Sequence, residues 1–255
     1  MPLLLPSYLH SRPSAGVAVA HAWGTGIAMR AFGSDNPVIQ DKLGKLSFRA
    51  LLGLSAAMGE WVRERFLDFR DDAALVQLID ATWAASVDFR YIDRDALAFP
   101  KDDHDPVVGP LHKTKRLLDN IIEIYSEVGF GIVRYVGAFV NFIVFLSPDP
   151  KPFKAWFKAT VTRLATLSAP PAEESGGYDV EVTESEPIGV VEAVWGNPLP
   201  REFFDPAFDP AGADSAALLD ALLVQVAATP NPFLLSPDVL RAQGFPGTPY
   251  RYPTS

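Results

Sequence analysis

Residues 46 to 69 read Leu-Ser-Phe-Arg-Ala-Leu-Leu-Gly-Leu-Ser-Ala-Ala-Met-Gly-Glu-Trp-Val-Arg-Glu-Arg-Phe-Leu-Asp-Phe. Apolar side chains at Phe48, Leu51, Leu52, Met58, Val62, Phe66 and Phe69 recur at helical spacing, with Arg49, Glu60, Arg63 and Glu64 on the other side. The pattern predicts an amphipathic helix with one face toward a core. The small residues Gly53, Ala56, Ala57 and Gly59 let another helix approach closely. Gly53-Leu54-Ser55 matches a nucleophile elbow only in its first three positions. Inside a helix, the Ser55 hydroxyl is expected to bond to the preceding turn.

Working outward, a second helix starts at Asp71 or Asp72, whose carboxylate can accept from free first-turn amides, and runs to Phe89. A third begins at Pro110, with Leu117, Leu118, Ile121, Ile122, Tyr125 and Val128 on one stripe and Asp119, Glu123 and Glu127 on the opposite, watery side. Gly129 to Leu146 reads as a kinked buried helix or a central strand. Helix is favoured because the run outlasts an ordinary strand. Ser147-Pro148-Asp149-Pro150 ends it, and the next helix puts Phe153, Trp156, Phe157, Val161 and Leu164 on one face. That helix also carries Lys151, Lys154, Lys158 and Arg163 with no acid, which suits internal docking or a solvated face.

A linker-like run, Ser168 to Gly177, marks a change of composition. Tyr178 to Val182 and Ile188 to Val191 then read as two short strands. A proline-rich loop follows, with a small tandem, Phe204-Asp205-Pro206 and Phe208-Asp209-Pro210. Asp214 to Ala228 forms one more helix, and a short helical turn follows, capped by Ser236 with Pro237 first and Gly244 beyond its end. The fold class expected is therefore mainly α: a multi-helix body over 1–170, with a small β element and long irregular segments in an acidic stretch, 171–255. That stretch is too poor in long apolar elements to fold alone and is expected to pack on the body as one composite domain.

Of 255 residues, 48% are apolar and 21% charged, which excludes disorder for most of the chain. The net charge of -9 argues against nucleic acid as a partner. Charge is segregated: residues 1–170 carry 18 acids and 19 bases, and residues 171–255 carry 13 acids and 3 bases. No cysteine is present, which excludes a disulfide scaffold, thiolate metal sites and thiol nucleophiles, and fits a reducing compartment. Prolines 2, 6 and 13 break the N-terminal apolar stretch, so no secretory signal is expected. The uncharged part of the most apolar stretch, Tyr135 to Ser147, has 13 residues, too few to span a bilayer. The expected location is the cytoplasm, with no membrane span.

Chemistry is sparse. Asp102-Asp103-His104-Asp105 with His112 is the densest polar cluster, and His104, Asp105 and His112 form the candidate metal or catalytic set. Its spacing fits neither an EF-hand nor a zincin helix, so a solvated acidic loop is the simpler reading. Gly24-Thr25-Gly26 and Gly129-Phe130-Gly131 lack the context of phosphate-binding loops, and no cofactor is expected. The irregular segments place Phe203, Phe204, Phe208 and Phe233 beside Asp205 and Asp209. These six residues are candidate contacts for a partner, unless the rings seal the loops onto the body. Two functions follow as expectations. One is a non-catalytic protein-binding module, such as an inhibitor or immunity-type neutraliser, whose acidic surface meets an unidentified basic protein. The other is a helical enzyme or small-ligand or metal-binding protein using the His104, Asp105 and His112 loop.

Overall fold

Ser47 has extended backbone geometry and its hydroxyl accepts from the Ala50 amide, so the chain enters a helix at Phe48. The computed structural model describes residues 3–11, 13–19, 21–24, 26, 36–97, 99, 104–126, 131–168 and 195–253. Among these it holds eight α-helices: α1 Pro37–Leu43, α2 Phe48–Phe66, α3 Ala73–Val87, α4 Val108–Ser126, α5 Ile132–Leu146, α6 Lys151–Leu167, α7 Ser215–Ala227 and α8 Pro237–Ala242. The protein is mainly helical, and Gly129–Leu146 resolves as helix from Ile132 onward. Asp72 rather than Asp71 caps α3, accepting from Leu75, and Asp105 accepts from Val107 and Val108 to start α4 two residues before Pro110. Asp214 and Ser236 cap α7 and α8 in the same way. Gly244 (φ 78°) lies two residues past the end of α8, in the left-handed region that glycine enters without strain. No helix among the described residues is long and apolar enough to cross a membrane.

Helix α2 packs against α3, α4 and α5 at once, and α5 in turn carries α1. The expectation of a single core face is too weak for α2. Glu60, Glu64 and Arg65 are buried like Leu51 and Met58, because residues 3–11 and 13–19 and the turn at Arg201–Phe204 cover the charged side. Phe69, assigned to the core stripe, is exposed instead, since the helix stops at Phe66. The small residues do bring partners close: Gly59 faces Ile79 of α3 and Leu118 of α4, and Gly53 faces the Phe204 ring. Ser55 donates to the Leu51 carbonyl at 2.8 Å, one turn back.

Residues 195–253 share this core through Leu199, Phe203, Phe204, Leu219, Leu223, Phe233 and Tyr250. Helix α6 holds the loop by its backbone: Trp156 Nε1 and Thr160 Oγ1 donate to the Phe204 carbonyl, and Arg163 donates to those of Asp205 and Pro206. The tandem has a local cause. Asp205 accepts from Ala207 N–H and Asp209 from Ala211 N–H, so each copy opens an Asx turn of three residues. The two expected strands at 178–191 lie outside the described residues, where the β content is one isolated antiparallel bridge, Ile92 to Leu234.

A Cβ on Gly53 would stand 2.6 Å from Phe204 Cζ, inside the van der Waals limit. Gly53→Ala is expected to lower unfolding stability by about 1–3 kcal/mol in urea denaturation, as overpacking of a filled core does. Adding Phe204→Leu should recover part of that loss, and purely additive effects would show that the two residues do not meet.

Candidate functional site

Of the six loop residues named as candidate partner contacts, the structure leaves one exposed. Phe203, Phe204 and Phe233 are at most 6% exposed, and Asp205 is 7% exposed. Phe204 packs edge-on to Trp83 at 5.0 Å, Phe233 lies 5.5 Å from Phe99, and half-buried Phe208 leans on Phe203. Asp205 accepts from Ser7 as well as from its own turn. Asp209 is exposed. These rings seal the loops to the body, so a partner cannot reach three of them in this conformation.

The second nominated set is dispersed in role. His104 is exposed, and His112 lies half-buried within the first half of α4. The Asp105 carboxylate is engaged by the first amides of α4, and the Val108 and Val107 N–H groups hold it below the usual carboxylate range. Asp102 and Asp103 lie outside the described residues. Among the described residues no group of three His, Asp or Glu side chains is placed to hold a metal ion. Asp119 is half-buried rather than solvated, and burial, with Glu123 nearby, raises it to about 6. Glu123 itself faces water, and Glu127 lies outside the described residues.

The strongest concentration of ionisable groups is internal and was not apparent from spacing. Glu60, 2% exposed on α2, accepts from Tyr8 Oη (2.7 Å), Trp83 Nε1 (3.0 Å) and Arg201 Nε and Nη2 (2.9 and 2.5 Å). Burial works against the Arg201 charge, but Glu60, Tyr8 and Asp80 outweigh it and raise its pKa. Burial of the phenol and the Glu60 charge push Tyr8 well above the ordinary tyrosine range. Asp80 on α3 accepts from the Leu3 amide at 3.3 Å, and burial raises it to about 6 despite the nearby Arg201. Arg63 and Arg201 donate to the Leu3 and Leu4 carbonyls, Glu64 accepts from Ser14 N–H, and Arg65 donates to the Val17 and Ala18 carbonyls. Each contact ties the N-terminal segment to α2, α3 or Arg201. The cluster is therefore occupied by the chain itself and does the work of a clasp.

An open site exists at the other end of α2. A groove of about 760 Å³ runs between Arg49, the turn Val87–Tyr91, Asn197 and Pro198, and the terminal loop 245–253. It gathers Arg49, Arg90 and Arg251 with Tyr91, Phe245 and Tyr252. Arg90 stacks over Phe245 at 4.7 Å and grips Asp88 by two hydrogen bonds. Arg251 pairs with Asp220 at 2.7 Å. Sequence reasoning missed this groove because its residues come from five separated stretches. The signal that remained was the pairing of arginines with aromatics, at positions 90–91 and 251–252. Comparison with protein-family models, with curated proteins and with solved structures returns no match.

The raised pKa of Asp80 fixes a pH dependence. Its contribution to stability is complete below its ordinary value of 3.8 and is lost as pH climbs through about 6, because the buried site disfavours the ionised form. Asp80→Asn keeps the shape and the acceptor for Leu3 but cannot ionise. It should melt with wild type near pH 4 and above wild type at pH 7.5, by a few degrees, which corresponds to about 1 kcal/mol or more. A variant less stable than wild type at pH 7.5 would contradict the assignment.

Proposed function

We propose that this chain is a non-catalytic protein-binding module that engages a basic protein, in the manner of an inhibitor or immunity-type neutraliser. One observation carries the reading: between residues 171 and 194 stand Glu173, Glu174, Asp179, Glu181, Glu184, Glu186 and Glu192, with no lysine or arginine. The remaining C-terminal stretch, 195–253, holds six acids and three arginines, so the negative charge of this third of the chain is concentrated in that tract. Like charges gathered this densely attract a cationic surface, speed the encounter and weaken with salt.

The other ionisable groups support the same reading. The buried acids Glu60, Glu64 and Asp80 accept from other parts of the chain, and Asp72 pairs with Lys115 at 2.8 Å, both side chains being under 10% exposed. Burial opposes ionisation of Asp72, and Lys115, the Leu75 amide and Arg70 outweigh it to hold the carboxyl below its usual range. These carboxylates serve cohesion, and the proposed contact is made by the seven acids of the 171–194 tract together with the exposed Asp209. The buried Phe203, Phe204 and Phe233 anchor their own loops to the body.

The test is affinity capture at low salt with the full chain and with a variant neutralised at all seven tract acids (Glu→Gln, Asp→Asn). The expected result is a stoichiometric basic protein that binds wild type, is released as salt rises, and rebinds after separate purification. The neutralised variant should retain it at least about tenfold more weakly, a loss of 1.4 kcal/mol or more. Recovery of no stoichiometric protein, or equal capture by the neutralised variant, would overturn the proposal.

A further inference from the structure

We propose that the groove beside the terminal loop is a binding site for a small organic anion with a flat ring, its phosphoryl or carboxyl group held by Arg90 and Arg251. The ring would lie against the aromatic wall of Phe245 and Tyr252. At about 760 Å³ the groove falls within the size range of sites for small molecules. On a chain of net charge -9, its lining carries three arginines and one carboxylate, Asp88. Such a local reversal of sign focuses anions onto one place.

The arginines are held but not used up. Arg90 commits Nε and Nη2 to Asp88, and Arg251 commits Nη1 to Asp220, while both side chains remain more than half exposed. A guanidinium has five N–H donors, so each keeps donors for an incoming oxyanion. Asp88 and the Phe245 ring fix the Arg90 fork in advance and Asp220 fixes that of Arg251, which lowers the ordering cost of binding. The third arginine, Arg49, donates to the Gly196 carbonyl, and its buried Nε meets no acceptor among the described residues.

The loop bearing Arg251 is itself rigid. Tyr250 sits at φ 58°, in the left-handed region that a tyrosine seldom occupies. It stays there because its ring stacks on Tyr91 at 4.5 Å and its hydroxyl donates to the Leu235 carbonyl at 2.6 Å. The adjoining Tyr252 amide donates to the same Asp220 that holds Arg251. Strain held in place by packing at the edge of a cavity is a feature of ligand clamps.

The site does not depend on the protein-binding reading, and its test is separate. The full chain is titrated calorimetrically with phenyl phosphate, benzoate, inorganic phosphate and benzyl alcohol. Phenyl phosphate or benzoate should bind at least about tenfold more tightly than inorganic phosphate or neutral benzyl alcohol, since both charge and ring are needed. Preference between the two aromatic acids assigns the anionic group as phosphoryl or carboxyl. Arg90→Gln with Arg251→Gln should weaken binding at least about tenfold. Thr248→Trp, which fills the groove from an exposed position and keeps every arginine, should do the same. Arg94→Gln, outside the groove, should leave binding unchanged. If the double variant loses its cooperative melt, Thr248→Trp decides. No binding of either aromatic acid at millimolar concentration, equal binding of benzyl alcohol or inorganic phosphate, or undiminished binding by Thr248→Trp would overturn the proposal.

Discussion

A carboxylate taken out of water must find donors, and Glu60 finds them in three parts of the chain: Tyr8 near the N-terminus, Trp83 on α3, and Arg201 in the C-terminal stretch. The idealised cost of burying such a charge is far larger than the net stability of a domain, so the group forms only when all its partners arrive together. This makes α2 the point at which the two ends of the sequence are joined to the helical body. Arg201 cannot reach Glu60 unless the turn Arg201–Phe204 is seated, and that turn is seated by α6 through the Phe204 carbonyl. Arg63, Glu64 and Arg65 then fix the N-terminal segment along the same helix, and Asp80 of α3 holds its Leu3 amide.

Because the polar side of α2 is spent on cohesion, surface chemistry is left to groups that the core does not need. Arg163 is drawn inward to the Asp205 and Pro206 carbonyls, while Lys151, Lys154 and Lys158 of the same helix stay in water. The aromatic loops follow the same economy. Burying a ring such as Phe204 or Phe233 is worth about 1.5–3 kcal/mol, more than an exposed ring can contribute while waiting for a partner. Among the described residues, the charge left for surface chemistry includes the arginine groove at 49, 90 and 251, and the densest run of acid lies at 173–192 of the sequence.

Much of the fold was legible from local chemistry. Asp72, Asp214 and Ser236 mark helix starts because a short oxygen-bearing side chain there answers an amide that has no partner one turn earlier. The Phe-Asp-Pro tandem read as a local loop device, and the structure shows each aspartate closing a turn on its own backbone. Less of the candidate sites was legible. Glu60, Arg63 and Glu64 occupy the face that periodicity assigns to water, and nothing in residues 46 to 69 says that residues 3–11 and 13–19 will lie across it. His104, Asp105 and His112 stand close in sequence, yet Asp105 is taken by the helix it starts.

The sequence by itself determined the helical class, the caps of several helices and the sign of charge along the chain. These depend on spacings of a few residues, over which backbone hydrogen bonding and side-chain period act directly. Only the tertiary structure decided which charges are buried, which aromatics become core, and that three arginines from distant stretches share one groove. Those outcomes depend on desolvation and on contacts between segments tens to hundreds of residues apart, such as Tyr8 with Glu60 and Glu60 with Arg201. No spacing along the chain encodes them, because their energy exists only once the segments have met.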